Sequence, residues 1–370
     1  MEKKVLGINM DVISLAKTLV SIDSQVPGPG EIEVSQFIFD YLKEIGLKPQ
    51  KQFFDGKRFN VLAFGGSQPS LMVNVHLDTV PINDRKQWKR NPFGEIVNGK
   101  LYGRGSCDTK GHAACLLAAL QNHINEDVVY IFNGEEEGSF AGIEKVLELR
   151  KTKLKSIQNS VSLEPTDGKL MIGNKGSYFI KVSATGKTSH SSRPELGDNA
   201  IYKISKAALA IEKYNKKLTK RKSSFGNASA SVGMVDGGTA TNVVPDSASM
   251  LVDRRVLPGE NPKKVESEFR EVVNPLSVDF IKRIEACSSS PNSKIVRQMQ
   301  TILTGFDMDP KPYSFSATTE LSEISKHGIE GIIFGTGELG QGHMPDEYIT
   351  IDALNRGEKI LLSLLKNWSR

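Results

Sequence analysis

The residues of this chain able to do chemistry lie where apolar runs give out or where glycines bend the chain. His76 and Asp78 close the run LMVNVHLDTVP, Asp108 lies in LYGRGSCDTKG, and Glu135 and Glu136 lie in NGEEEG. Glu164 follows in LEPT and His343 in GELGQGHMPDE. Histidines and carboxylates with no cysteine among them form a borderline-to-hard donor set that suits zinc, with cobalt or manganese able to substitute. One zinc takes about three protein ligands plus water. The set is too large for one ion and serves two if one carboxylate bridges them. His76 and Asp78 are two apart on what reads as extended chain, so their side chains share a face. Asp78 can then hold one imidazole nitrogen of His76 while the other meets a metal. Each residue also has an ordinary reading: a structural histidine, a helix cap at Asp108, a solvated acidic turn, a turn residue at Glu164, a surface histidine at His343. Their joint placement after strands favours a site, because ligands of open α/β sheets bind beyond the carboxyl ends of the strands.

The elements that must carry these residues follow from periodicity. Val12 to Val20 reads as a short amphipathic helix, and the stretch from Glu31 to Ile45 as a longer one ended at Gly46. Strands are expected at Asn60–Phe64, Leu71–His76, Val128–Phe132 and Val161–Leu163, with helices from His112 and over Phe140–Leu149 between them. This alternation predicts an α/β fold whose mixed central sheet is flanked by helices. After Lys175-Gly176 the texture changes. Half-exposed strands at Tyr178–Ala184, Ser229–Val235, Ser247–Val252 and Val278–Ile284 alternate with helices at Asp198–Tyr214 and Asn261–Val273. These predict a smaller α+β domain over 178–286, inserted into a discontinuous catalytic domain of 1–177 and 287–370. Ile295–Leu303, Gly331–Phe334 and Asp352–Trp368 return the tail to α/β texture, with Thr350 and Asp352 as candidate caps of the last helix.

Composition narrows the classes. The chain has 370 residues, 38% hydrophobic and 25% charged, with a net charge of +5. That is the profile of a globular protein long enough for two domains. The basic run KYNKKLTKRK (Lys213 to Lys222) lacks aromatic interleaving or a recognised motif, so no nucleic-acid partner is expected. Cys107, Cys115 and Cys287 form no CxxC pair and suit a reducing compartment. The N-terminal stretch shows no signal-peptide pattern and no run spans a bilayer, so no membrane partner and a cytoplasmic location are expected.

Taken in order, VNVHLDTVP, GRGSCDTKG, NGEEEG, LEPT, TSHSSRP, GGTATNVVPD with DRR, and GHMPDE resemble the zinc-dependent deacylase and carboxypeptidase family that includes acetylornithine deacetylase and succinyl-diaminopimelate desuccinylase. The resemblance covers nearly the whole chain. It implies the same two-part fold, with the inserted domain used for dimerisation or as a lid. It implies two zinc ions per chain, with Asp108 bridging, His76 and Glu164 completing one metal, and Glu136 and His343 the other. Glu135 matches the general base, with Asp78 orienting His76. It also implies that the Asp108–Thr109 peptide is cis.

In the inserted domain the resemblance makes His190 a stabiliser of the tetrahedral oxyanion, often across a dimer interface, and Asn242 and Arg255 the grip on a substrate carboxylate. Adjacent strand residues face opposite ways, so only one of Arg254 and Arg255 is expected to reach the site. The chain departs from its relatives at Thr109-Lys110-Gly111, where many have methionine, at Asn174, often histidine, and at SATTEL (Ser316 to Leu321). The last bears on substrate choice. The expected function is a two-zinc amidohydrolase that removes an N-acyl group from an amino acid, N-acetylornithine or a close analogue, as in arginine biosynthesis. Alternatives are a dipeptidase or carboxypeptidase, an N-succinyl-diamino-acid desuccinylase and, from another class, a non-catalytic metal-binding scaffold. The expected partners are a small N-acylated amino acid or dipeptide and a second copy of the chain.

Overall fold

The computed structural model describes residues 10–369. Residues 1–9, part of the stretch on which the absence of a signal peptide was read, lie outside the described residues. The chain divides into two compact units. One runs up to Gly173 and takes in Ser289–Tyr313 and the chain from Thr319; the other holds Asn174–Ser288 and Ser314–Thr318. The short excursion Ser314–Thr318 differs from the expected boundaries. Backbone pairing explains it, since Lys175 N–H donates to Ala317 C=O at 3.1 Å and the Thr318 hydroxyl donates to Lys175 C=O at 2.9 Å.

In the larger unit, strands run side by side in the order Gln50–Asp55, Arg58–Phe64, Val128–Asn133, Leu71–His76, Asn159–Leu163, Glu330–Phe334 and Leu170–Asn174. The strands Val128–Asn133, Leu71–His76, Asn159–Leu163 and Glu330–Phe334 are mutually parallel, while the flanking pairs are antiparallel. The sheet is mixed, as the alternation of elements implied. Every residue of Leu71–His76, Val128–Asn133 and Asn159–Leu163 is buried. That is why the first two read as nearly continuous apolar runs rather than alternating ones, whereas the third, NSVSL, buries polar residues as well. The edge strand Gln50–Asp55 escaped the sequence reading because none of its positions is buried, so QKQFFD shows no apolar alternation and even Phe53 is exposed. Helix Lys110–Asn122 is apolar nearly all round, with its residues from Lys110 to Leu120 buried, and it packs against helices Val12–Ser21 and Ile351–Asn367. Thr350 is the cap of the last helix, accepting from Ala353 N–H at 3.0 Å. A small antiparallel sheet pairs Tyr348–Thr350 with Lys100–Tyr102, and the latter with Glu95–Val97.

The smaller unit is a four-stranded antiparallel sheet in the order Ser229–Gly237, Ser247–Val256, Gly176–Thr185, Ser277–Ile284. Helices Ala200–Leu218 and Pro262–Val273 accompany it. Alternating burial along Ser247–Val256 leaves one face of that strand to the unit's core. Among the described residues, no helix is long and apolar enough to cross a membrane.

Candidate metal centre

The parallel strands bring their carboxyl ends level, and His76 pairs in register with Asn133. Asn74 pairs with Ser162, which places Glu164 level with His76 two residues on. The loops after these strands deliver the remaining acidic residues. Donor atoms of His76, Asp108 and Glu164 lie within 4.8 Å of one another, and so do those of Asp108, Glu137 and His343. Asp108 belongs to both groups. Its Oδ1 lies 3.1 Å from His76 Nε2, and its Oδ2 lies 3.4 Å from His343 Nε2. His76 Nε2 is 3.8 Å from Glu164 Oε1, and His343 Nε2 is 2.8 Å from Glu137 Oε1. A carboxylate facing two histidines through its two oxygens, each histidine with a carboxylate of its own, fits two divalent cations held by nitrogen and oxygen.

The triple glutamate is arranged differently from the sequence expectation. Glu137, not Glu136, stands beside His343 and Asp108. Glu135 adopts a left-handed backbone, φ 67°, and its carbonyl accepts from Phe140 N–H at 2.8 Å, closing a tight turn. That turn sends the Glu135 side chain into an ion pair with Arg58. Arg58 also forks onto buried Glu31 at 2.9 and 2.8 Å. Glu136 groups instead with His76 and Glu137. Asp78 differs too. Its carboxylate accepts from Glu136 N–H at 3.1 Å and Glu137 N–H at 2.9 Å, so it fixes this turn. His76 Nδ1 meets the Asp78 main-chain carbonyl at 3.0 Å, while the Asp78 carboxylate is 3.7 Å away, too far for a hydrogen bond. Asp108 does not cap the helix that follows it: the cap position belongs to Thr109. The Asp108–Thr109 peptide is cis.

Crowded carboxylates and histidines shift one another's proton affinities. Burial pushes Glu164 up to about 7, opposed by His76. Burial, then the charges of Glu164 and Glu137, raise Glu136 well above the ordinary carboxyl range against the pull of His76. Burial works against ionised Asp108, yet hydrogen bonds from His343 and His76 outweigh it and hold its carboxyl below the usual range. His343 is pushed up to about 10 by its hydrogen bonds to Asp108 and Glu137. The cluster holds positive charge tightly, the electrostatic condition for a cation site.

Behind the cluster lies a polar layer that the sequence reading did not assign. The buried carboxyl of Glu320 accepts from Asn74 Nδ2 at 2.9 Å and Asn133 Nδ2 at 2.5 Å, and the Ser162 hydroxyl donates to Asn74 Oδ1 at 3.0 Å. Burial is the main reason its pKa rises to about 8. The clue in the sequence was a polar residue two before each ligand, Asn74 inside the otherwise apolar run that ends at His76 and Ser162 before Glu164.

In the smaller unit, Arg254 and Arg255 face opposite ways, as alternation requires. Arg254 is buried on Glu260 at 2.9 Å. Arg255 is half-buried and reaches Asp253 Oδ2 at 2.8 Å and Thr318 Oγ1 at 2.8 Å. The His190 segment pairs with the Asn242 segment, with a bridge between His190 and Val243 and Ser191 N–H donating to Asn242 C=O at 3.1 Å. Both side chains are exposed. His190 Nδ1 accepts from Ser192 N–H at 3.2 Å, which leaves the ring proton on Nε2 as an outward donor.

A sequence profile described as peptidase family M20/M25/M40 matches residues 72–367. A probable succinyl-diaminopimelate desuccinylase of Staphylococcus aureus is 25% identical, covering 95% of this chain and 94% of its own length. An acetylornithine deacetylase of Myxococcus xanthus is 27% identical over 86% of this chain and 88% of its own. Among solved structures, an M20 family metallo-carboxypeptidase of Sulfolobus solfataricus superposes with a TM-score of 0.79 at 20% identity, over 97% of this chain and 99% of its own.

Proposed function

This chain belongs to peptidase family M20/M25/M40, and from that premise we propose that it is a two-zinc amidohydrolase removing an N-acyl group from an amino acid. The observation that carries the reading is Asp108, whose two oxygens face His76 and His343. We assign His76, Asp108 and Glu164 to one ion and Asp108, Glu137 and His343 to the other. When bound, such ions acidify a water and polarise the scissile carbonyl.

The chain's own residues do the rest. Glu136, half-buried next to the ligands and not grouped with His343, takes the water's proton and returns it to the leaving amine. This assignment replaces Glu135, whose carboxylate is committed to Arg58. Asp78 positions the Glu136–Glu137 turn through its two hydrogen bonds. His190 donates from Nε2 to the oxyanion that forms on the substrate carbonyl. Asn242 and Arg255 hold the substrate carboxylate, for which the planar guanidinium fork is suited.

N-Acetylornithine is the substrate we favour, from the Myxococcus relative. The Staphylococcus relative supports an N-succinyl-diamino acid as a second substrate, and the Sulfolobus structure's description supports a peptide with a free carboxylate as a third. A panel of these compounds, assayed for released amine with zinc and with cobalt, separates them. Release from none of them by the metal-loaded protein would overturn the hydrolase reading. We further propose a homodimer through the smaller unit. Met234 and Val235 are exposed on its edge strand Ser229–Gly237, with Tyr202 and Leu209 exposed on helix Ala200–Leu218. Exposed apolar side chains on an open strand edge invite pairing with a second chain. A monomer by light scattering at working concentration would contradict it.

A further inference from the structure

Asp108 and His343 approach each other from segments far apart in sequence, and one buried ion pair touches the main chain of both. The small sheet starts the arrangement: Tyr348 pairs with Tyr102, and Gly103 N–H donates to Glu347 C=O at 2.9 Å. Glu347 is thereby set beside Arg104, and their side chains meet at 2.5 Å between Arg104 Nη1 and Glu347 Oε2. They are 4% and 0% exposed, with the guanidinium 5.2 Å from the centre of the Trp88 ring. The other oxygen of Glu347 accepts from Cys107 N–H at 2.9 Å and from Asp108 N–H at 3.0 Å. The other terminal nitrogen of Arg104 donates to the His343 carbonyl at 3.3 Å. One carboxylate thus holds the segment bearing Asp108, and its cation holds the segment bearing His343.

A buried ion pair contributes little net stability, because desolvating two charges offsets most of their attraction. Arg104 Nε is buried without a hydrogen-bond partner, a further cost. What the pair supplies is geometry. His343 needs such support: its side chain is 54% exposed, its backbone is left-handed at φ 67°, and it lies outside the strands and helices.

We propose that the Arg104–Glu347 ion pair is a positioning device that fixes the spacing of Asp108 and His343, and so sets the affinity of the half-site formed by Asp108, Glu137 and His343. This inference rests on the two-cation reading above. The half-site of His76 and Glu164 lies on strand ends and depends on the ion pair only through the shared Asp108.

Two variants test it. Arg104→Lys keeps the charge but replaces the fork that reaches Glu347 and His343 together. Arg104→Gln with Glu347→Gln replaces the ions by a neutral amide pair; Gln at 347 still accepts from Cys107 and Asp108, while the shorter Gln at 104 falls short of His343. Each is stripped of metal and titrated with Co²⁺, followed by visible absorption and by calorimetry, alongside thermal unfolding of the metal-free protein. The expected result is a first ion bound within about twofold of wild type and a second ion weakened roughly 10- to 100-fold, with an altered absorption of the second cobalt. A merely structural pair would lower the unfolding temperature and leave the second titration step and its spectrum as in wild type, which would overturn the inference. Wild type binding fewer than two ions would overturn the two-cation reading itself, an outcome seen before any variant is compared.

Discussion

The two halves of the ligand cluster are built by different means. His76 ends a strand with parallel neighbours on both sides, and its side chain is 1% exposed. Glu164 follows the adjoining strand. Backbone hydrogen bonds of the sheet place both. His343 and Glu137 lie in a loop and a turn, placed by side-chain ties: Arg104 to His343, and Asp78 to the Glu136–Glu137 amides. A half-site made by a sheet is preformed, whereas one made by loops depends on each tie that holds it. The sheet half is therefore expected to take its ion first and more tightly.

The largest effect is expected on removing the residue that both halves share. Asp108→Asn is expected to abolish both titration steps and all turnover; retention of the second step alone would mean that the loop half stands without the bridge. Next in size is the contrast between neighbouring glutamates. Glu136→Gln is expected to lower kcat roughly 10²- to 10⁴-fold, the usual contribution of a general base, with both ions still bound. Glu135→Gln should keep turnover within a few-fold and instead cost about 1–3 kcal/mol of stability, because Arg58 loses a partner. Steady-state kinetics and urea unfolding read the two effects separately, and the reverse pattern would restore Glu135 as the base.

A smaller perturbation addresses the loop half alone. A Cβ at Gly342 would lie 2.8 Å from Asp108 Oδ2, so Gly342→Ala must part that carboxylate from the His343 loop. It is expected to weaken the second ion by roughly tenfold and leave the first unchanged in the same titration.

The smallest effect is on pH dependence. In the metal-free protein Glu164 rises to about 7 and Glu320 to about 8 from an ordinary value of 4.5. The folded state then keeps protons that the unfolded chain releases, so the stability they contribute is full below about pH 4.5 and declines as pH rises toward 8. Above about pH 6.5 the buried His112, lowered to about 4, is neutral in both states and adds no opposing slope. Chelator-treated protein should therefore show a falling unfolding midpoint between pH 6.5 and 8. Saturating zinc should flatten the share owed to Glu164, while that of Glu320, which is not a proposed ligand, persists more strongly.

How legible all this was in the sequence follows the same division. The sheet half was readable because LMVNVH is a nearly continuous apolar run that ends in a ligand and Glu164 follows the short strand expected at Val161–Leu163, and strand geometry then fixes where each ligand points. Opposite orientations for Arg254 and Arg255 followed from alternation alone. The roles within Glu135–Glu137 were not readable. Three identical side chains carry no internal sign of direction, and the turn that sorts them depends on Arg58 and Asp78, both distant in sequence. The tie from Glu347 to Asp108 was invisible for the same reason: it joins residues brought together only by the pairing of Tyr348 with Tyr102. The excursion of Ser314–Thr318 into the smaller unit likewise rests on long-range backbone bonds to Lys175.

Zinc-edge anomalous diffraction from crystals of the zinc-loaded protein locates the two ions and their ligands. Two peaks flanking Asp108 are expected, one ligated by His76 and Glu164 and the other by Glu137 and His343, with the Glu136 carboxylate bound to neither. A single peak, or Glu136 in place of Glu137 on the second ion, would contradict this assignment.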